Sequence, residues 1–280
     1  MSFVDLPPVT LQTREITVSG AAGELAARLY AAADASGKRD GLIVYFHAGG
    51  FVGGNLDESD GFLRSLVQCN QEYLVLASSY TLAGVSPFPA AVEDAHAVLL
   101  WAKKHKSKLG WTGKRLIVAG IEAGANLAAV STLMSRDRGG PELAGQILIM
   151  PMLDPGLSTC SMRAMPADDQ SELANACVAG YRSYLPNAAD RAHPYASPLQ
   201  SSRLKSLPPA LILSAEDDPL RDEAEQYAAK LIGCGVKTTM HRLPPTSMQE
   251  PEERNECACR AQALGAIAGF FAGLEQQAPA

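Results

Sequence analysis

The chain has 280 residues, of which 47% are hydrophobic and 19% are charged. It can bury a sizeable core, and its composition excludes a disordered or fibrous protein. The formal net charge of −6 is spread along the chain without a basic stripe, which argues against nucleic acid as a partner. No signal-peptide pattern and no run of about 18 apolar residues is present, so we expect a cytoplasmic protein that contacts no membrane.

Short apolar runs predict eight strands, in chain order at residues 9–18, 24–31, 41–46, 73–78, 115–119, 145–150, 210–214 and 236–242. Apolar residues at helical spacing predict helices at residues 57–69, 90–104, from about 123 to 136, 171–184, 220–233 and 254–274. Strands and helices alternate from residue 41 onward, which is typical of a mostly parallel sheet with helices on both faces. The sequence therefore predicts an α/β fold.

The six cysteines are scattered and show no CxxC spacing. Cys257 and Cys259 stand two positions apart on a predicted helix and do not share a face, so they make a poor metal clip. We expect reduced thiols and neither a metal nor an organic cofactor.

Ligands of open α/β sheets lie beyond the carboxyl ends of the strands. Five predicted loops leave that edge, starting at His47, Gly120, Leu153, Ala215 and Leu243. The functional site is therefore expected in these loops.

Four sequence motifs follow one another in and beside these loops. They are HAGGF at 47–51, FPAAVEDA at 88–95, RGGP at 138–141 with PMLD at 151–154, and DPLRDE at 218–223. Their order and spacing resemble the hormone-sensitive-lipase-like carboxylesterases over roughly residues 40 to 270. The resemblance implies a single α/β-hydrolase domain over residues 1–280, with residues 153–204 as a small cap-like insertion. It also suggests a homodimer through the edge strand near 236–242.

The resemblance assigns an oxyanion hole to three backbone N–H groups, those of Gly49, Gly50 and Ala123. Glycines that follow a strand let backbone amides approach a ligand closely, although a tight turn without a ligand would use them too. The acid position of the catalytic triad falls on Asp218, and the adjacent Asp217 leaves a slip of one residue open. An Asp-Pro pair also starts helices well, so both roles stay open.

The nucleophile and histidine positions depart from the family. Its G-x-S-x-G elbow reads here as Gly-Ile-Glu-Ala-Gly, with Glu122 at the serine position. Met248 stands at the histidine position, and His241 lies seven residues earlier inside a predicted strand. A carboxylate is a far weaker nucleophile than a serine alkoxide, and no imidazole is placed to move protons. The triad is therefore predicted to be degenerate.

Three hypotheses follow from this pattern. In the first, the protein is a pseudo-hydrolase that binds a small acyl or aromatic molecule, and Glu122 accepts hydrogen bonds from the oxyanion amides. In the second, Glu122 is the general base of a lyase, dehydratase or isomerase. In the third, a residual esterase uses another nucleophile, such as Ser78 or Ser247.

Large side chains of the cap-like insertion are candidates for the wall of a ligand pocket, namely Met162, Met165, Tyr181, Tyr184 and Tyr195. Ordinary packing of a small helix against the sheet is the alternative.

Overall fold

One sheet of eight strands forms the centre of the computed structural model, which describes residues 10–33, 37–164, 172–245, 247–248 and 250–276. The strands are β1 (Leu11–Ser19), β2 (Glu24–Ala32), β3 (Arg39–Phe46), β4 (Tyr73–Ser78), β5 (Trp111–Ile121), β6 (Gly145–Ile149), β7 (Ala210–Ala215) and β8 (Thr238–Leu243). Their order across the sheet is β1-β2-β4-β3-β5-β6-β7-β8. The pairs β1–β2 and β2–β4 are antiparallel, and the other pairs are parallel. This confirms the predicted α/β-hydrolase fold class.

The helices lie on both faces of this sheet. They are α1 (Asp60–Cys69), α2 (Ala90–Lys104), α3 (Lys106–Leu109), α4 (Ala123–Arg138), α5 (Cys160–Arg163), α6 (Glu172–Tyr184), α7 (Arg221–Gly233), α8 (Glu253–Cys259) and α9 (Ala261–Glu275). Across the described ranges, no helix has both the length and the hydropathy needed to cross a membrane.

Alternating side chains of the strands build two hydrophobic layers. In β3, Leu42 and Val44 face a layer that α2, α4 and α7 cover, whereas Ile43 and Tyr45 face the layer of α1, α8 and α9. Strand side chains point to opposite faces in turn, so a run that is apolar at every position is buried on both sides. All four of these side chains are fully buried, as the continuous apolar run predicts.

The closing helix differs from the prediction. A single helix was expected over residues 254–274, but the chain turns at Arg260, whose φ of −66° and ψ of 147° are extended. The turn separates α8 from α9 and leaves α8 with its own buried face, on which Asn255 accepts a hydrogen bond from Ser59 Oγ at 3.0 Å. Val9 and Ser171, the first residues of two other predicted elements, lie outside the described residues.

Strand β8 is the last in the sheet order and pairs with β7. A homodimer through this edge remains a prediction.

Candidate active site

A sharp turn at Glu122 joins β5 to α4. The backbone of Glu122 has φ 54° and ψ −113°, a conformation that costs a residue with a side chain about 1–3 kcal/mol. Two glycines permit the turn: a Cβ on Gly120 would lie 2.2 Å from the backbone of Gly124, and a Cβ on Gly124 would lie 2.0 Å from the carbonyl oxygen of Phe46. This close approach fixes the side chain of residue 122 at the carboxyl edge of the sheet.

The loop after β3 directs two backbone N–H groups at that side chain. The amides of Gly49 and Gly50 donate to Glu122 Oε2, at 2.7 and 2.8 Å. Gly49 has φ +125°, and a Cβ there would lie 2.2 Å from the carbonyl oxygen of Gly53, so the loop needs glycine. Ala123 is the first residue of α4, and within the described residues no hydrogen bond joins its N–H to Glu122. The structure thus brings two of the three expected donors together on one carboxylate.

An arginine that no sequence motif indicates lies between the two acidic side chains. Arg254, on α8, donates to Asp218 through Nε at 2.9 Å and Nη2 at 3.0 Å, and through Nη1 to Glu122 Oε1 at 3.2 Å. The side chains of Arg254 and Asp218 are 0% exposed, and that of Glu122 is 1% exposed. These three residues form a buried chain of charges, which we call the ion triad.

Electrostatics keeps the guanidinium of the ion triad charged. Burial acts to lower the pKa of Arg254, but the carboxylates of Asp218 and Glu122 outweigh it, so the pKa lies above its ordinary value. The paired contact of Arg254 with both oxygens of Asp218 is the strong planar geometry of arginine and carboxylate. One cation therefore compensates the negative charges of both buried carboxylates.

Asp218 also shapes the chain before α7. Its Oδ1 accepts a hydrogen bond from the Leu220 amide at 2.8 Å, which closes a turn before the helix. The residue that caps α7 is Leu220, so Asp218 makes the site contact but does not cap the helix. The neighbouring Asp217 accepts instead from the amide of Ser247 at 2.6 Å.

The other residues considered for proton transfer lie elsewhere. Met248 is buried in the hydrophobic layer that α8 and α9 cover, while Arg254 is the residue in contact with Asp218. His241 is exposed on β8 and pairs in register with Leu213. His47 is buried with Nδ1 2.6 Å from the carbonyl oxygen of Ala48, and burial lowers its pKa.

Helix α6 rests directly on the loop after β3 that carries Gly49 and Gly50, here called the oxyanion loop. A Cβ on Gly180 would lie 2.4 Å from the carbonyl oxygen of Gly50, and the ring of Tyr184 stacks on that of Phe51 with 3.9 Å between centroids. Tyr181 is also 1% exposed, so these two tyrosines pack against the loop. Met165, another residue considered for the pocket wall, lies outside the described residues.

A second buried acid, Glu223 on α7, lies near the site, and no ion pair joins it to a cation in the part of the chain that the structure describes. Its Oε2 accepts from the amide of Asp154 at 2.9 Å, while Oε1 has no hydrogen-bond partner. Burial raises the pKa of Glu223 well above the usual value, because water no longer stabilises its charged form. Burial therefore favours the protonated form of Glu223 over its carboxylate.

Glu223→Gln is expected to gain stability relative to the wild type as pH rises. Since the folded-state pKa is raised, folding takes up a proton above the unfolded value near 4.5, and the wild type loses stability there by up to about 1.4 kcal/mol per pH unit. Urea unfolding of both proteins at pH 4, 6 and 8 measures the difference. A stability difference that does not change with pH would contradict a raised pKa of Glu223.

Among the residues that the structure describes, no group of three or more histidine, cysteine, aspartate or glutamate side chains is placed to hold a metal ion.

Comparison with known proteins shows which fold family the chain resembles. A sequence model of the alpha/beta hydrolase fold family matches residues 43–247. The esterase LipI of Mycobacterium tuberculosis is 34% identical over 246 residues, which cover 85% of this chain and 75% of that protein. An arylesterase of Saccharolobus solfataricus is 31% identical over 232 residues, covering 83% and 74% of the two chains.

Solved structures of esterases have the same fold as this chain. The hyperthermophilic esterase of the archaeon Pyrobaculum calidifontis superposes with a TM-score of 0.85 at 35% identity, covering 98% of this chain and 88% of that one. The chain therefore belongs to the alpha/beta hydrolase fold family. Within that family it is related to the hormone-sensitive-lipase-like carboxylesterases, which confirms the resemblance predicted from its motifs.

Proposed function

We propose that this protein is a pseudo-hydrolase that binds a small acyl or aromatic molecule and does not hydrolyse esters through a triad. One observation carries the proposal: the amides of Gly49 and Gly50, which would stabilise an oxyanion, both donate to the carboxylate of Glu122. Removing a single oxyanion donor from a serine hydrolase lowers kcat by about 10²–10³-fold, and here Glu122 occupies two donors.

The ion triad supports the same proposal. Ester hydrolysis needs a nucleophile, a group that takes and returns its proton, and open donors for the oxyanion. Arg254 stands where it contacts Asp218, and its raised pKa leaves it unable to accept a proton. Helix α6 also packs closely on the loop that carries Gly49 and Gly50, since a Cβ on Gly180 would lie 2.4 Å from the carbonyl oxygen of Gly50.

A general-base role for Glu122 finds less support. A base needs an oxygen that can reach a substrate proton. Oε2 of Glu122 accepts two amide hydrogen bonds, Oε1 accepts one from Arg254, and the side chain is buried.

A residual esterase is favoured by the names of the relatives, which are esterases. The surroundings of the two serines considered for this role do not suit a nucleophile. Ser78 is buried at the end of β4 and donates to the carbonyl oxygen of Ser79 at 2.9 Å. Ser247 is exposed, and its amide bonds Asp217.

The proposal is tested with p-nitrophenyl acetate and p-nitrophenyl butyrate, measured over many turnovers so that acylation of surface groups does not count. Wild type, Glu122→Gln, Ser78→Ala and Ser247→Ala should all release nitrophenol at the rate of heat-denatured protein. Wild-type turnover that Glu122→Gln abolishes would overturn the proposal and assign catalysis to the elbow. Turnover that only a serine variant abolishes would replace the proposal with the residual esterase.

A further inference from the structure

The last strand of the sheet, β8, has one edge without a neighbouring strand among the described residues. The carbonyl group of Lys237, just before β8, faces β7 and accepts from the Ala210 amide at 2.9 Å. The carbonyl group of Leu243 likewise accepts, at 3.0 Å, from the residue after β7. Backbone groups alternate in direction along a strand, so the N–H and C=O groups of Met240 face away from the sheet. Such an edge can pair with a further strand.

A groove of about 710 Å³ lies between this edge and helix α9. Its strand wall consists of alternate residues, among them Lys237, Thr239 and His241, which are exposed. Side chains two positions apart point to the same face of a sheet, so these three share the face that α9 covers. The α9 wall includes Phe270 and Gly269, and nothing lies within 4 Å of a Cβ built on Gly269. The groove therefore has room for the side chains of a strand added beside β8.

The walls of the groove are apolar and basic. Leu243 and Phe270 supply apolar surface, and the described lining residues include no aspartate or glutamate. Arg242 also lines the groove, but its charge is compensated by two carboxylates that lie outside it. Lys237 is in no ion pair within the part of the chain that the structure describes. A segment that fits this groove therefore carries apolar side chains toward α9 and a carboxylate near Lys237.

We propose that the edge of β8 binds an extended acidic peptide segment of a partner protein. The segment pairs with the outward backbone groups of β8 and places apolar side chains in the groove. Strand addition of this kind takes its affinity from main-chain hydrogen bonds and its specificity from pockets for alternate side chains. None of the described residues that line the groove belongs to the ion triad, so this binding goes beyond the proposed function and does not depend on it.

A second copy of this chain, the partner predicted from the sequence, complements this edge less well. Two β8 edges that pair would bring Lys237, His241 and Arg242 of one copy toward the same basic residues of the other, and like charges on adjacent strands are destabilising. The added strand would also offer lysine, threonine and histidine side chains to a groove with apolar walls. A peptide with carboxylates and alternate apolar side chains matches both the charge and the surface.

A phage-displayed library of random linear peptides, selected on the wild type, tests the proposal. The selected peptides should carry aspartate or glutamate beside alternating apolar residues, and fluorescence anisotropy of labelled synthetic copies gives their Kd. Met240→Pro removes the outward N–H and leaves the pairing with β7 intact, so it should weaken binding about tenfold. Met240→Ala keeps this N–H and is the matched control, with a Kd expected near that of the wild type.

Two further variants change the groove at exposed positions. Lys237→Glu reverses the charge and should weaken binding, and Gly269→Leu should weaken it by filling the space beside β8. Thermal unfolding shows whether each variant folds. Because neither position contributes an outward backbone group of β8, these two variants keep the proposal testable if Met240→Pro does not fold.

Three results would overturn the proposal. The first is a selection that yields no binding peptide, or only peptides without acidic residues. The second is binding that the folded Met240→Pro, Lys237→Glu and Gly269→Leu proteins retain, or that Met240→Ala loses as fully as Met240→Pro does. The third is a wild-type dimer in sedimentation velocity that Lys237→Glu or Met240→Pro dissociates, because the occupant of the edge would then be a second copy of this chain.

Discussion

Arg254→Met is expected to lower the free energy of unfolding by about 3–5 kcal/mol, because removing one partner of a buried ion pair leaves its carboxylates uncompensated. Methionine keeps most of the volume and removes the charge, so the loss reports electrostatics more than packing. For a chain of this size the change corresponds to a decrease in Tm of roughly 6–10 °C. Urea and thermal unfolding measure it.

The surface of the protein supplies a control for this variant. Arg242 also contacts two carboxylates, those of Glu216 and Glu225, but its side chain is 45% exposed. Arg242→Met should change stability little, because solvent screens exposed pairs. The triple variant Glu122→Gln/Asp218→Asn/Arg254→Met should recover much of the loss, since it removes the buried charges together. An Arg254→Met protein as stable as the wild type would show that the ion triad does not hold this region together.

Gly124→Ala is expected to destabilise the protein by about 1–3 kcal/mol or more, because a methyl group there overlaps backbone atoms that cannot rotate away. The new Cβ would lie 2.0 Å from the carbonyl oxygen of Phe46, so either β3 or the elbow at Glu122 must shift. The shift would also loosen the contact between Glu122 and the amides of the oxyanion loop. Urea unfolding gives the size of the loss.

Gly269→Ala is the matched control for this change. Gly269 lies in α9 with nothing within 4 Å of a built Cβ, and alanine is better than glycine inside a helix. It should gain about 0.5–1 kcal/mol. Equal stabilities for Gly124→Ala and the wild type would mean that the elbow can relax at little cost.

The fold was predictable because the sequence patterns that indicate its strands and helices each span only a few neighbouring residues. The run at 41–46 is apolar at every position, and the structure buries it on both faces of the sheet. Alternation of strands and helices then selects the parallel arrangement. The break at Arg260 was not predictable from periodicity, since hydrophobic residues continue at helical spacing on both sides of it.

The site was predictable in its glycines and carboxylates but not in its cation. Motif spacing pointed to Gly49, Gly50, Glu122 and Asp218, and the structure brings them into one cluster. Arg254 lies six residues beyond the expected histidine position, on a helix of its own, and no local pattern marks an arginine as buried. One signal was available: two acidic groups expected in one closed site require a positive partner.

The residues of the ion triad differ in how much stability the protein loses when each of them is mutated first. If Arg254 changes first, two carboxylates remain in the interior without a cation, and the protein loses much of its margin of stability. If Glu122 changes first, the pair of Arg254 and Asp218 stays neutral and hydrogen bonded. Any mutational path that dismantles the ion triad is therefore expected to pass through position 122 before position 254.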